Sequence, residues 1–154
     1  HCASSAGSTE LPLDGYRIPC FIYADFIPAQ KIDTLVSQID VMPTVMGLLN
    51  FSYTSKFIGQ DVLTADYQPR AYIATYQDLG YLTPERLTVI SPVKKVRQYD
   101  LRLEAEQPAG TEYPLYYSQE ERKDLEERGV LECIARYQST SYWLKNQQLN
   151  ASKK

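Results

Sequence analysis

The chain has 154 residues, of which 44% are apolar, 23% charged and 12% aromatic. This length suits one ordinary domain, which would bury about 70% of the surface that its unfolded form exposes. The 16 Lys and Arg against 19 Asp and Glu give a net charge of -3, so the chain lacks the dense positive field that a nucleic-acid backbone requires. We therefore expect a globular protein that does not bind nucleic acid.

The printed sequence contains neither a membrane-spanning segment nor a secretory leader. Every apolar run falls short of the ~20 residues that a helix needs to cross a bilayer. The first residues also lack a basic stretch followed by an apolar one. The chain opens with His1 instead of Met, and residues 1–7 resemble the middle of a loop. We expect a soluble piece of a longer protein.

The three cysteines are widely and irregularly spaced. Cys2, Cys20 and Cys133 match neither a zinc-binding pattern nor a disulfide framework. Free cysteines behave as small apolar side chains. We expect buried or half-buried thiols, and Cys20 fits this best because it lies inside an apolar run.

The first third of the chain predicts two strands and a helix. Residues 18–24 form an unbroken apolar run rich in β-branched and aromatic side chains, typical of a strand buried on both faces. A shorter strand is predicted at 34–38. Asp40 is predicted to cap a helix that reaches about Leu49 and ends at Asn50 in the left-handed conformation. An apolar face should pack this helix on the sheet; it consists of Val41, Val45, Leu48 and Leu49.

The residue pattern in the middle of the chain predicts an antiparallel sheet. Short β-like runs occupy residues 71–76, 87–90 and 95–103, and the first and last of them alternate loosely between apolar and polar side chains. Gly80, Pro84 and Pro92 are assigned to the turns between them. The alternation predicts a sheet with one face open to water.

The last third of the chain predicts a helix. Ser118 followed three residues later by Glu121 matches a capping box, and we expect the helix to begin there and to bend near Gly129. Five residues then fall on one helical stripe, which predicts a core-packing face or, alternatively, a face that binds a partner: Val130, Ile134, Tyr137, Ser141 and Leu144.

Residues with catalytic chemistry are sparse. His1 is the single histidine, so no pair of histidines can bind a metal. A Ser/His/Asp arrangement is weakly supported, because no serine lies in a G-x-S-x-G turn. The carboxylates before residue 35 have no recognisable paired spacing. The residues alone therefore predict an α/β domain without an assigned activity.

Four ordered motifs in the first 63 residues resemble a known family. They are the loop at residues 1–7, which begins with His1, the apolar run IPCFIYA at 18–24, the run SQIDVMPT at 37–44 with Leu48 and Leu49, and FIGQDVL at 57–63. Together they resemble the C-terminal part of the catalytic domain of lipoteichoic acid synthase-like proteins, within the sulfatase and alkaline phosphatase superfamily. Residues 70–81 and 91–96 resemble, less specifically, a branch found in Bacteroidetes-like bacteria.

The resemblance implies a fold and a division of the chain. Residues 1–66 would be the C-terminal part of a sulfatase-type catalytic domain, a strand-strand-helix fragment of an alkaline phosphatase-like sandwich. Residues 67–154 would form a small α+β subdomain, with an antiparallel sheet and a C-terminal helix. The whole is an α/β fold. A sheet cut in this way exposes an unpaired edge, which favours aggregation.

The resemblance also implies a metal site to which this chain contributes one ligand. His1 aligns with the His of the family's Asp-His metal pair, and the Asp lies outside the chain. The metal would be a divalent ion such as Mn, Mg, Zn or Ca, and His1 would offer it an imidazole nitrogen. The nucleophile, a Thr or Ser, and the acidic ligands are expected upstream. The chain would therefore contain no catalytic nucleophile and no other cofactor-binding residue, and alone it should be inactive.

Other polar residues have competing interpretations. Ser4, Ser5, Ser8 and Thr9 could line the mouth of the site or a solvated loop. Asp40 is interpreted as a helix cap and not as a catalytic acid. A small basic cluster could meet an anionic head group, although a solvated strand face is favoured; it comprises Lys94, Lys95 and Arg97.

The implied activity is the metal-dependent transfer of a phosphoglycerol-type group to an extracytoplasmic glycan or lipid. In such enzymes the metal activates the nucleophile, and a covalent intermediate is resolved by an acceptor alcohol or water. The substrate partner would be lipid- or glycan-linked. The intact protein would lie on the periplasmic side of the inner membrane, held by upstream segments. The alternatives are a sulfatase and a non-catalytic accessory domain.

Overall fold

The computed structural model describes residue 11 and residues 13–104 and 116–146. Two short 3-10 turns, Leu13–Tyr16 and Gln38–Asp40, precede the helix α1, Val41–Leu48. Five strands follow, and the chain ends in a second helix; these are β1 Ala71–Ala74, β2 Leu79–Leu82, β3 Arg86–Ser91, β4 Lys95–Glu104, β5 Tyr116–Glu121 and α2 Glu127–Lys145. Among the described residues, neither helix is both long and apolar enough to cross a membrane.

The strands form one antiparallel sheet in the order β1-β2-β3-β4-β5, so each strand pairs with its neighbour in sequence. One face of the sheet holds the apolar core, formed by Leu11, Leu13, Ile73, Leu87, Val89 and Leu101. Leu11 and Leu13 come from the segment before residue 17. This N-terminal segment therefore covers the sheet face that β3 and β4 present to it.

Helix α2 covers the other face. Thr88 and Gln98 are paired across β3 and β4, and both are buried against the start of α2 at Gly129. The hydroxyl of Tyr137 lies 3.0 Å from the carbonyl of Ile73 and 3.1 Å from that of Gly80. The prediction that one sheet face is open to water is therefore wrong here, because α2 buries polar side chains that are matched by hydrogen bonds.

The antiparallel sheet and both helices confirm the predicted fold class. α1 ends within a residue of its expected end, and Asn50 has the left-handed φ of 55° that was predicted for it. β2 was missed because Gly80 suggested a turn. This glycine instead lets two side chains approach the strand, since a Cβ at residue 80 would lie 2.7 Å from Cγ1 of Ile73 and 3.0 Å from Cδ1 of Leu11.

The two strands predicted at 18–24 and 34–38 are wrong as elements of this structure. No strand pairing exists over these described residues, and their apolar side chains are exposed, with Phe21 at 91%. A strand needs a neighbour to satisfy its backbone groups, and no neighbour lies among the described residues. Cys20 is exposed for the same reason, whereas Cys133 is buried as expected.

The helix predicted to start at Ser118 begins later. Residues 118–121 belong to β5, where Ser118 pairs with Arg102 of β4. Pairing along β4 therefore outweighs the local capping pattern. α2 also continues unbroken through Gly129. A Cβ on that residue would approach Gln98 Nε2 to 3.0 Å, so glycine here permits close packing instead of a bend.

The predicted stripe on α2 packs over part of its length. Val130, Ile134 and Tyr137 are half-buried on the sheet. Ser141 and Leu144, in the last two turns of α2, are exposed. The division of the chain at residues 66 and 67 remains a prediction, although Leu11 and Leu13 pack against strands beyond it.

Candidate functional site

The predicted metal ligand, His1, lies outside the described residues, as do Ser4, Ser5, Ser8 and Thr9. Within the described part of the chain, no group of three or more His, Cys, Asp or Glu side chains is arranged to hold a metal ion. The described residues therefore do not by themselves fit a complete metal site. His1 as a ligand stays a prediction.

A fully buried carboxylate is the most organised polar feature of the described residues. Asp40 is 0% exposed, and Arg70, at 4%, donates to both of its oxygens at 2.8 Å. The hydroxyl of Tyr67 lies 3.0 Å from Oδ2 of Asp40, while the backbone N–H groups of Ser37 and Gln60 donate to Oδ2 and Oδ1. We call these five residues the Asp40 cluster.

The sequence predicted the wrong hydrogen-bond partner for the Asp40 carboxylate. The carboxylate does not accept a hydrogen bond at the N-terminus of α1. It instead accepts the N–H of Ser37, which precedes the 3-10 turn that leads into the helix. The sequence could not reveal the long-range partners, because Tyr67 and Arg70 lie 27 and 30 residues after Asp40.

Within the Asp40 cluster, the negative charge of Asp40 keeps Arg70 and Tyr67 protonated. Burial lowers the pKa of Arg70, but the hydrogen bond and negative charge of Asp40 outweigh that effect, so its pKa is raised. Burial first, and then the hydrogen bond to Asp40, raise the pKa of Tyr67. Arg70 is therefore a cation and Tyr67 a neutral hydroxyl at physiological pH, and neither is poised for proton transfer.

The loop after α1, around residues 59–62, packs against the N-terminus of α1 next to Asp40. Thr44, on the first turns of α1, donates to the carbonyl of Asp40 at 2.7 Å and accepts from the N–H of Val62 at 3.0 Å. At Gly59 a Cβ would lie 2.0 Å from the carbonyl oxygen of Ile39. Only glycine therefore permits this close approach of the loop.

A second set of charges joins β3, β4 and the start of α2. Asp100 accepts from Arg122 at 2.9 and 3.1 Å and from Arg86 at 3.2 Å, and Arg86 also pairs with Glu126. The pKa of Asp100 is lowered: burial acts in the opposite direction, but the hydrogen bonds and charges of Arg122 and Arg86 prevail. Both arginines are engaged, so this cluster stabilises the sheet.

The predicted basic cluster is split. Lys94 and Lys95 are exposed at the turn between β3 and β4, whereas Arg97 is half-buried and pairs with Asp78 at 3.1 Å. The arginine therefore serves an internal ion pair. Cys133 is not an activated nucleophile either, because burial raises the pKa of its thiol to about 11.

The chain is similar to a protein family in sequence and to a solved structure in fold. A sequence model of the family described as Sulfatase matches residues 3–51, which is less than half of the chain. A solved structure of a protein in the alkaline phosphatase superfamily from Vibrio parahaemolyticus is similar with a TM-score of 0.65 and 23% sequence identity. The match covers 87% of this chain and 32% of that chain.

Two statements follow from these likenesses. The structure is α/β and matches a fragment of an alkaline phosphatase-superfamily fold, as predicted. The chain spans about a third of the length of that neighbour, so most of the neighbour's residues have no counterpart here.

Proposed function

We propose that this chain is the C-terminal part of a sulfatase-type enzyme that acts on a phosphate or sulfate ester. The supporting observation is the Sulfatase match at residues 3–51, which begins just after His1 and includes α1, Ser37 and Asp40. In this proposal the described residues are the scaffold of the catalytic domain. The nucleophile and the acidic metal ligands come from residues outside the chain, and the chain alone has no turnover.

The more specific form of the proposal is a transferase. It moves a phosphoglycerol-type unit onto a lipid- or glycan-linked acceptor at the periplasmic side of the inner membrane, to which upstream segments hold the protein. The resemblance of the motifs at 18–24, 37–44 and 57–63 supports this form. A sulfatase is the second candidate, and the family match favours it. An accessory domain without catalysis is the third.

His1 is proposed to bind the divalent ion in the intact protein. Of the ions considered, a neutral imidazole nitrogen suits Zn best, whereas Mn, Mg and Ca favour oxygen ligands. When bound, such an ion acts as a Lewis acid on the transferring group. The described residues supply no further step, because their clusters of charge are internally paired.

Metal analysis of the longer protein tests this proposal. Replacing the ligand, in His1→Ala, should weaken divalent metal binding by more than about tenfold, the loss seen even for groups that merely support a ligand. Metal content after dialysis and turnover on a phosphodiester and a sulfate ester are measured together. The matched control is Asp25→Asn, which changes an exposed carboxylate.

Three results would separate the candidates. Turnover of the phosphodiester supports the transferase, and turnover of the sulfate ester supports the sulfatase. A wild-type protein without bound metal, and an unchanged activity in His1→Ala, would contradict the enzyme proposal and favour an accessory domain.

A further inference from the structure

Between residues 17 and 69, burial is concentrated at a single point. The buried residues of this stretch are Ser37, Asp40, Pro43 and Thr44. All four lie in the Asp40 cluster or in the first turns of α1 beside it. The large apolar side chains of the same stretch are mostly exposed, including Met42 on α1 and Leu49 directly after it. Apolar packing therefore contributes little to holding this region in place.

The apolar core does not reach this region. Its buried members are Leu11 and Leu13 together with residues of β1, β3 and β4. None of them comes from residues 35–63. Most of the described hydrogen bonds that join residues 35–63 to the segment before β1 instead converge on Arg70 and Tyr67. A further bond runs from the N–H of Gln68 to the side chain of Gln60.

Arg70 is rigidly attached to the sheet. It directly precedes Ala71, which is buried and pairs with Leu82 at the start of β1. Its guanidinium makes two parallel hydrogen bonds to Asp40, a geometry that fixes orientation as well as distance. Tyr67 adds a bond to the carbonyl of Leu35 at 3.0 Å. Tyr67 and Arg70 therefore hold the residues on both sides of the turn Gln38–Asp40, at Leu35 and at Asp40, in a fixed position relative to β1.

We propose that the Asp40 cluster is a polar clamp that fixes residues 35–63, including α1, to the antiparallel sheet. Arg70 is the positioning residue, and Asp40 is the point on which the N–H groups of Ser37 and Gln60 also converge. When the clamp is broken, residues 35–63 open as a unit while the sheet stays folded. This inference rests on the geometry of the cluster and not on the proposed function.

Local opening of this kind is measurable by amide hydrogen exchange, which reports opening region by region. In the 154-residue protein, Asp40→Asn should speed exchange of the α1 amides by at least about tenfold. The amides of β3 and β4 should exchange as in the wild type. Tyr67→Phe is a milder variant that removes one hydroxyl, and it should give a smaller increase confined to the same residues.

A double variant tests whether the two charges act together. Since interacting residues give non-additive effects, Asp40→Asn combined with Arg70→Met should speed α1 exchange by less than the product of the single changes. The control is Asp100→Asn, which breaks a different arginine-bound carboxylate and should leave α1 unchanged.

Two results would overturn the proposal. In the first, α1 exchanges at the wild-type rate in both Asp40→Asn and Tyr67→Phe. In the second, β3 and β4 accelerate by the same factor as α1, which would make the cluster a determinant of the stability of the whole molecule.

Discussion

Asp100 shows how two arginines define the behaviour of one carboxylate. Its oxygens accept from Arg122 of the segment between β5 and α2 and from Arg86 of β3. The lowered pKa means that the folded state favours the charged form more than the unfolded chain does. The stabilisation is therefore fully present above the ordinary value of 3.8 and is lost as the pH falls through the lower folded value.

Acid titration of stability checks this sign. The free energy of unfolding of the wild type should exceed that of Asp100→Asn at pH 6, and the gap should shrink below about pH 4. Urea unfolding at several pH values measures both proteins. Asp66→Asn, at an exposed side chain, serves as the control. A gap that is constant from pH 6 to pH 2 would contradict the assignment.

At the scale of elements, Gln98 is the contact that seats α2 on the sheet. Its side chain donates to Thr88 at 3.0 Å and to the carbonyl of Glu126 at 3.1 Å, and it accepts from the N–H of Glu126 at 2.6 Å. Gln98 is also fully buried. One amide thereby joins β3, β4 and the residue before the first turn of the helix.

Removing that amide should loosen the helix. Gln98→Ala is expected to lower the free energy of unfolding by about 3 kcal/mol, because it leaves several buried polar groups without partners. Gln119→Ala, at an exposed position in β5, should change it by less than about 0.5 kcal/mol. Chemical denaturation measures both variants. Equal losses would show that Gln98 does not have this role.

The limits of the sequence-based prediction also lie at this scale. α1, β1, β3 and β4 were predictable, because local apolar patterning and turn residues specify them. β2 was not predictable, because a glycine in the sequence suggests a turn. In the fold, Gly80 instead lies within a strand and allows close packing of other side chains. The arginine that binds Asp40 could not be found either, because a contact across 30 residues leaves no local periodicity.

At the scale of the whole molecule, the contrast between the two halves of the described chain is the main result. The sheet buries an apolar core together with Leu11 and Leu13, whereas residues 18–57 expose large apolar side chains such as Phe21, Phe26 and Phe51. Large exposed apolar surfaces usually mark sites where another protein segment or domain binds. This agrees with a chain that covers 32% of its structural neighbour and with the proposal that a catalytic domain continues beyond it.

The same contrast explains why the site was less predictable than the fold. Motifs at 18–24 and 37–44 predicted a family likeness, and the Sulfatase match at residues 3–51 agrees with it at that level. The strand predicted at 18–24 is absent, and no pairing partner for it lies among the described residues. A site that is proposed to be assembled from distant segments cannot be derived from the one segment that is proposed to supply a single ligand.

A paired turnover assay tests the central claim most directly. The purified 154-residue protein and the longer protein that contains it are assayed on a phosphodiester and a sulfate ester, with and without added divalent metal. We predict metal-stimulated turnover by the longer protein and none by the 154-residue protein, since the nucleophile is expected outside it. Metal-stimulated hydrolysis by the 154-residue protein alone would contradict the account.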